Sequence, residues 1–163
     1  MKEKFWGHMT ALKYQIYYLD EYMEESYKWD NYINIFTAVT SASSIGAWAI
    51  WKDSKCVWIW SSIIAISQVI NAIKTQLPFS KRIKFLPKLT SELGELYNEY
   101  DYLWLDVSND RLTDKQINDE LKKLVSKDDK ISDKYLNENH LPYKSKLANK
   151  AQSKLEQYYN NYY

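Results

Sequence analysis

Three glycines and three prolines in 163 residues leave few positions for the turns of a sheet-rich fold, so the composition points to helix. One cysteine, Cys56, excludes an intramolecular disulfide and a thiolate metal site. The two histidines, His8 and His140, stand in unrelated segments with no ligand-spaced partner, and each reads as a surface histidine. Glycine occurs only at positions 7, 46 and 94, which rules out a Gly-rich phosphate loop. Carboxylates are numerous but fall at ordinary charge-pair spacing on helix faces. These absences argue against an enzyme: no catalytic residue, metal ligand or cofactor is assigned. The first 30 residues also lack the apolar run and small-residue cleavage site of a secretory leader.

The remaining absence is of charge. The chain is 26% charged, yet neither Asn31–Trp51 nor Cys56–Ile73 contains a charged residue. As a helix the first of these would rise roughly 31 Å, the thickness of a hydrocarbon core. The two stretches predict a helical hairpin joined by the short polar link around Lys52–Lys55. Trp48, Trp51, Trp58 and Trp60 flank that link, while Tyr27, Trp29, Tyr32, Phe36 and Phe79 lie at the opposite ends, as two membrane-interface belts would. Lys74, Lys81, Arg82, Lys84 and Lys88 follow the second stretch before any acid, which places both termini in the cytoplasm.

The organisation expected is therefore an N-terminal cytosolic helix over 1–30, a first transmembrane helix over 31–52 and an external link over 53–55. A second transmembrane helix over 56–76 and a C-terminal cytosolic helical region over 77–163 complete it. The competing reading is a hairpin buried in a soluble bundle, and the Ser, Thr, Asn and Gln content of both arms is its argument.

Those polar residues are spaced. Thr37, Thr40, Ser41 and Ser44 step by three, one and three, and Ser61, Gln68, Asn71 and Thr75 by seven, three and four, so each set shares one helix face. At membrane depth such faces meet other helices or an aqueous path. Two helices cannot enclose a path, so a symmetric homo-oligomer is expected, a tetramer being compatible. These eight residues are assigned as pore-lining, in preference to a bundle that merely bonds across its helices. With no charge inside either arm, the pore would be weakly selective.

Outside the hairpin, Leu12, Ile16, Leu19 and Met23 form an apolar stripe. Pro78 predicts a break, and Pro78 and Pro87 bound an expected basic turn. A helix follows with Leu93, Leu96, Tyr100, Leu103 and Val107 on one side. Another begins at a Thr113-x-x-Gln116 capping box, and after a loop over 137–143 comes a basic, then tyrosine-rich, tail helix. Two clusters interleave cations with aromatics in the manner of a single-stranded nucleic-acid site. Lys81, Arg82, Lys84, Lys88 and Phe85 form the first, assigned as the oligonucleotide-binding residues, for which lipid headgroups are the rival ligand. Lys144, Lys146, Lys150 and Lys154 before Tyr158, Tyr159, Tyr162 and Tyr163 form the second, which an ordinary solvated tail would also explain.

A tyrosine-rich leading helix, a hairpin with serines in both arms and then "LPFSKRIKFLPKLTSELGELYNEYDYLWLDV" resemble the SLATT-type two-transmembrane effectors of bacterial conflict systems, over roughly residues 5 to 110. The likeness is one of architecture, with "KRI", "SEL" and "LYNEYDYLW" as its residues. Within that group the short chain without a fused sensor domain is most similar to the effectors of Hailong anti-phage systems. The resemblance implies an effector of the bacterial inner membrane that opens a pore and arrests an infected cell. It also implies gating by a nucleotide or single-stranded DNA oligomer from a partner nucleotidyltransferase. The alternative is a non-conducting membrane-anchored scaffold with cytosolic interaction helices.

Overall fold

The computed structural model describes the backbone of residues 1–51, 57–137 and 139–162, and the side-chain surroundings of all of these except 42–51, 57 and 60. Among the described residues the chain is all-helical, without a strand. Helix α1 is Lys2–Trp51 and α2 is Val57–Ile73, followed by a 3-10 turn, Lys74–Gln76. Helices α3, Pro78–Ser108, α4, Asp114–Leu136, and α5, Ser145–Tyr162, complete the chain.

The breaks have local causes. Leu77 is extended (ψ 142°) because the pyrrolidine of Pro78 disfavours helical geometry in the residue before it, and Pro78 itself opens α3 where its missing N–H costs nothing. Helix α3 ends with Asp110 at φ 55° and a bond from the Arg111 N–H to the Asp106 carbonyl, a left-handed C-terminal cap. Helix α4 starts at the expected capping box: the Thr113 hydroxyl accepts from the Gln116 N–H, and the Gln116 side chain accepts from the Thr113 N–H. The expected basic turn between Pro78 and Pro87 is instead helix, with Pro87 inside α3. A proline there costs about 3 kcal/mol, of the same order as burying one or two leucines, and Leu86, Leu89 and Leu93 are all fully buried around it.

The chain divides into two compact units, one formed by Met1–Met23 with Lys84–Tyr163 and the other by Glu24–Ile83. The first is an ordinary helical domain. Phe5, Met9, Leu12, Ile16, Leu19 and Tyr22 of α1 pack with Leu86, Leu93, Leu96, Tyr97 and Tyr100 of α3, with Ile117, Leu121 and Leu124 of α4, and with Leu147 of α5. Surface ion pairs such as Lys127–Glu99 and Lys134–Glu92 join α4 to α3 on the outside.

The second unit is the hairpin, and it is arranged the other way round. Its buried residues, among those described, are Ser26, Thr40 and Ser67. Trp29, Tyr32, Ile35, Phe36 and Val39 of α1 and Trp58, Ile59, Ile66, Val69 and Ile73 of α2 are exposed. Among the described residues no helix is long and apolar enough to cross a membrane. Helix α2 has 17 residues, a rise of about 25 Å, because the expected span over 56–76 tightens into the 3-10 turn at Lys74. The expected link over 53–55 lies outside the described residues.

Candidate functional site

The hairpin is zipped by polar side chains. On α1, Ser26, Asp30, Asn34, Thr37 and Thr40 recur at three and four residues and so share one face, which is the buried or half-buried one. On α2 and beyond, Ser67 and Lys74, seven apart, take the corresponding positions. At one level the hydroxyls of Thr40 and Ser67 hydrogen-bond each other. Thr40 also donates to the Phe36 carbonyl at 2.9 Å, which leaves Ser67 as donor between the two helices. Thr37 donates to the Ile33 carbonyl at 2.8 Å.

Nearer the hairpin's open end, Asn34 bridges two charges. Its Nδ2 donates to Asp30 Oδ2 at 2.8 Å, and its Oδ1 accepts from the Lys74 ammonium. Ser80 Oγ donates to the other Asp30 oxygen at 3.4 Å. The amide thus points its donor at the acid and its acceptor at the base, an orientation with no alternative in that surround. A neutral relay between opposite charges holds the arms together without an exposed ion pair.

Of the eight residues assigned to a pore, the structure brings Thr37 and Thr40 into this seam. Ser41, Ser61, Gln68, Asn71 and Thr75 are exposed on other faces, and Ser44 lies outside the described side chains. Helix α2 consequently has three sectors: the seam with Ser67 and Lys74; a stripe of Ser61, Gln68 and Thr75, each seven apart, with Ala65 and Ala72 beside it; and a sector of Trp58, Ile59, Ile66, Val69 and Ile73. Sequence spacing found the stripe but missed the seam partners Asp30, Asn34, Ser67 and Lys74.

The two basic clusters fare differently. Lys81, Lys84 and Lys88 sit on one exposed face of α3, at intervals of three and four. Arg82 and Phe85 lie on another side, half-buried, and the Phe85 ring packs against the core of the first unit. The five do not form one surface. In the tail, Lys150 and Lys154 are engaged by Glu21 of α1, whose side chain is 3% exposed, at 3.0 and 2.5 Å. Burial opposes ionisation of that carboxyl, but hydrogen bonds from Lys154 and Lys150 outweigh it and hold Glu21 below the usual carboxylate range. Its neighbour Asp20 has no such bonds, and burial raises it against the pull of Lys154 and Lys13.

Lys144 packs over the Tyr22 ring at 5.0 Å, and its backbone N–H donates to Tyr18. Lys13 lies over the rings of Tyr97 and Tyr158 at 4.2 and 4.3 Å, and desolvation lowers its pKa. His8, expected at the surface, is half-buried near Asp128, whose carboxyl burial raises above the usual range, while His140 is exposed. Among the described residues no group of three or more His, Cys, Asp and Glu converges on one point. No protein-family model, no curated protein and no solved structure matches the chain.

Proposed function

We propose that the chain is a membrane effector of bacterial anti-phage defence, acting as an oligomeric pore in the inner membrane with both termini cytoplasmic. The observation that carries the membrane part is the inverted hairpin: serine and threonine inside, tryptophan, isoleucine and valine outside. In water such a surface is costly and marks an interaction site. Against lipid it is the favourable arrangement, because hydroxyls bonded to their own helix carbonyls or across the arms cost little there. The short α2 is accommodated by local bilayer thinning.

The oligomer follows from the stripe of Ser61, Gln68 and Thr75, with Asn71 alongside. It faces neither the seam nor the apolar sector, so in lipid it needs other copies or water. Gating by a nucleotide or single-stranded DNA oligomer from a partner nucleotidyltransferase, like the setting in phage defence, rests on the resemblance over residues 5 to 110. The exposed Lys84 and Lys88 of the first unit are the cations to which a polyanion would dock there, and Lys81 and Arg82 of the second unit are further candidates taken by themselves.

The test is dye leakage from liposomes holding the purified full chain, with and without short single-stranded DNA. Leakage is expected, suppressed by the oligonucleotide and abolished by Gln68→Leu without loss of insertion. Tight liposomes under both conditions, with insertion verified, would leave the non-conducting scaffold in its place.

A further inference from the structure

A cleft of about 300 Å³ lies between α1 and α4 of the first unit, with Lys4 and His8 on one wall and Asn118, Lys122, Ser126 and Asp129 on the other. The α4 residues step by four, four and three, so they share one face. Leu121 and Val125, which pack into the core, supply its apolar surface. Among the described residues, none of those six polar side chains has a hydrogen bond or ion pair within the chain. Neighbouring charges are used elsewhere: Lys123 faces Glu120 and Asp119, Lys127 pairs with Glu99 on α3, and Glu3 lines a different cleft with Trp6 and Trp104. Lys4 and Lys122 bring two ammonium groups to the cleft, Asp129 brings one carboxylate, and Asp128 beside His8 makes the count two against two. These charges are sorted by position. Met1 reaches Asp114 at 3.9 Å and His8 lies near Asp128, so α1 and α4 run in the same direction. Lys4 therefore lies toward the Lys122 end, away from Asp129.

We infer that this cleft binds a short zwitterionic peptide of dipeptide length, its carboxylate on Lys4 and Lys122, its ammonium on Asp129 and an apolar side chain over Leu121 and Val125. Balanced charge decides the class. A simple anion gains from the two lysines what Asp128 and Asp129 take back, whereas a molecule with both charges is favoured at both ends. Distance decides the length. Lys122 and Asp129 are seven residues apart on α4, a rise of about 10 Å. An extended dipeptide spans about 7 Å, and the flexible lysine stems close the difference. A single amino acid, half as long, reaches one end only. A volume of about 300 Å³ stands at the lower limit of small-molecule sites, which suits two residues and not a longer peptide. Between the ends, Asn118 and Ser126 offer both donors and acceptors to the peptide amide. The site is separate from the α3 lysines and does not depend on the membrane reading.

The test uses the full chain, ¹⁵N-labelled in detergent micelles, titrated with glycyl-leucine at constant ionic strength. Saturable shifts of the Asn118 side-chain amide and of the backbone amides over 118–129 are expected. N-acetyl-glycyl-leucine and glycyl-leucinamide should each bind more weakly by about tenfold or more, since each lacks one of the two charges. Asp129→Asn should erase the penalty of acetylation, and a Lys4→Met, Lys122→Met double variant the penalty of amidation. These three side chains have no hydrogen bond or ion pair among the described residues, so both variants should keep the circular dichroism and melting temperature of the parent. No saturation with glycyl-leucine, a blocked peptide that binds as tightly as glycyl-leucine, or penalties unchanged in the variants would overturn the site. Since binding and not leakage is read, failure here leaves the pore standing, and the reverse.

Discussion

The two units solve opposite problems with the same secondary structure. In the unit of Met1–Met23 and Lys84–Tyr163 the buried set, among described residues, is apolar from Phe5 to Leu155 apart from one carboxylate, Glu21. In the unit of Glu24–Ile83 the buried set, among described residues, is serine and threonine. The first is stabilised by removing hydrocarbon from water. The second, among its described residues, fully buries no apolar side chain, with Ile33, Ile63, Ile64 and Ile70 only half-buried, and its arms are also joined by hydrogen bonds worth about 1 kcal/mol each in water. On the proposed reading its outer face is covered by lipid or by further copies. The difference teaches that helix content and helix length say little about which solvent a helix is built for; the side-chain inventory of the interface does.

The contrast can be broken most forcefully from the first unit. Leu93→Ala empties a fully buried site on α3 and should cost about 2–5 kcal/mol, read as a loss in thermal stability. On the hairpin, truncating an outward residue should matter far less than charging it. Val69→Asp, at a position 60% exposed, is expected to cost about 3 kcal/mol of membrane insertion while leaving the melting of the first unit unchanged. Flotation with liposomes checks this, and an undiminished membrane fraction would contradict the lipid-facing assignment.

A smaller effect sharpens the electrostatics of the first unit. Glu21→Gln should destabilise by about 1–2 kcal/mol at neutral pH, the half-exposed lysines being screened by water. Glu21 is depressed in the folded state, so its contribution is complete above the unfolded value of about 4.3 and is lost as pH falls through that value towards the folded one. Asp20 runs in the opposite sense: its raised folded value means that ionisation costs stability at neutral pH, a cost removed on acidification. The parent should therefore lose more stability than the Glu21→Gln variant between neutral pH and pH 3, and parallel curves would remove the pair as a stabilising contact. The smallest effect is expected of Thr40→Val with Ser67→Ala, which replaces both seam partners at once and should shift stability in detergent by less than about 1 kcal/mol. Thr40→Val alone strands the Ser67 hydroxyl and should cost more than the pair.

What was legible in the sequence was local. The stripe of Leu12, Ile16 and Leu19, the Thr113–Gln116 box and the break before Pro78 each follow from a few neighbouring residues. The helical path through Pro87 was not, since its compensation is the burial of Leu86, Leu89 and Leu93 by distant segments. On α2 the spacing of seven is shared by Ser61, Gln68 and Thr75 and by Ser67 and Lys74; the two stripes differ by one residue, and periodicity cannot say which faces α1. Lys74 reads as a flanking cation because nothing in the sequence shows its stem reaching back to Asn34, 40 residues earlier. The grip of Glu21 on Lys150, 129 residues away, carries no local signal either.

Pro87 also has a mechanical consequence. A proline in mid-helix offers no amide proton to the carbonyl four residues back, here that of Ile83. Along α3 each turn resists bending through its bonded carbonyls, and this turn has one fewer. Helix α3 is thus not a uniform rod but a spring with one soft coil, and a force applied to it would be taken up as curvature at that coil first.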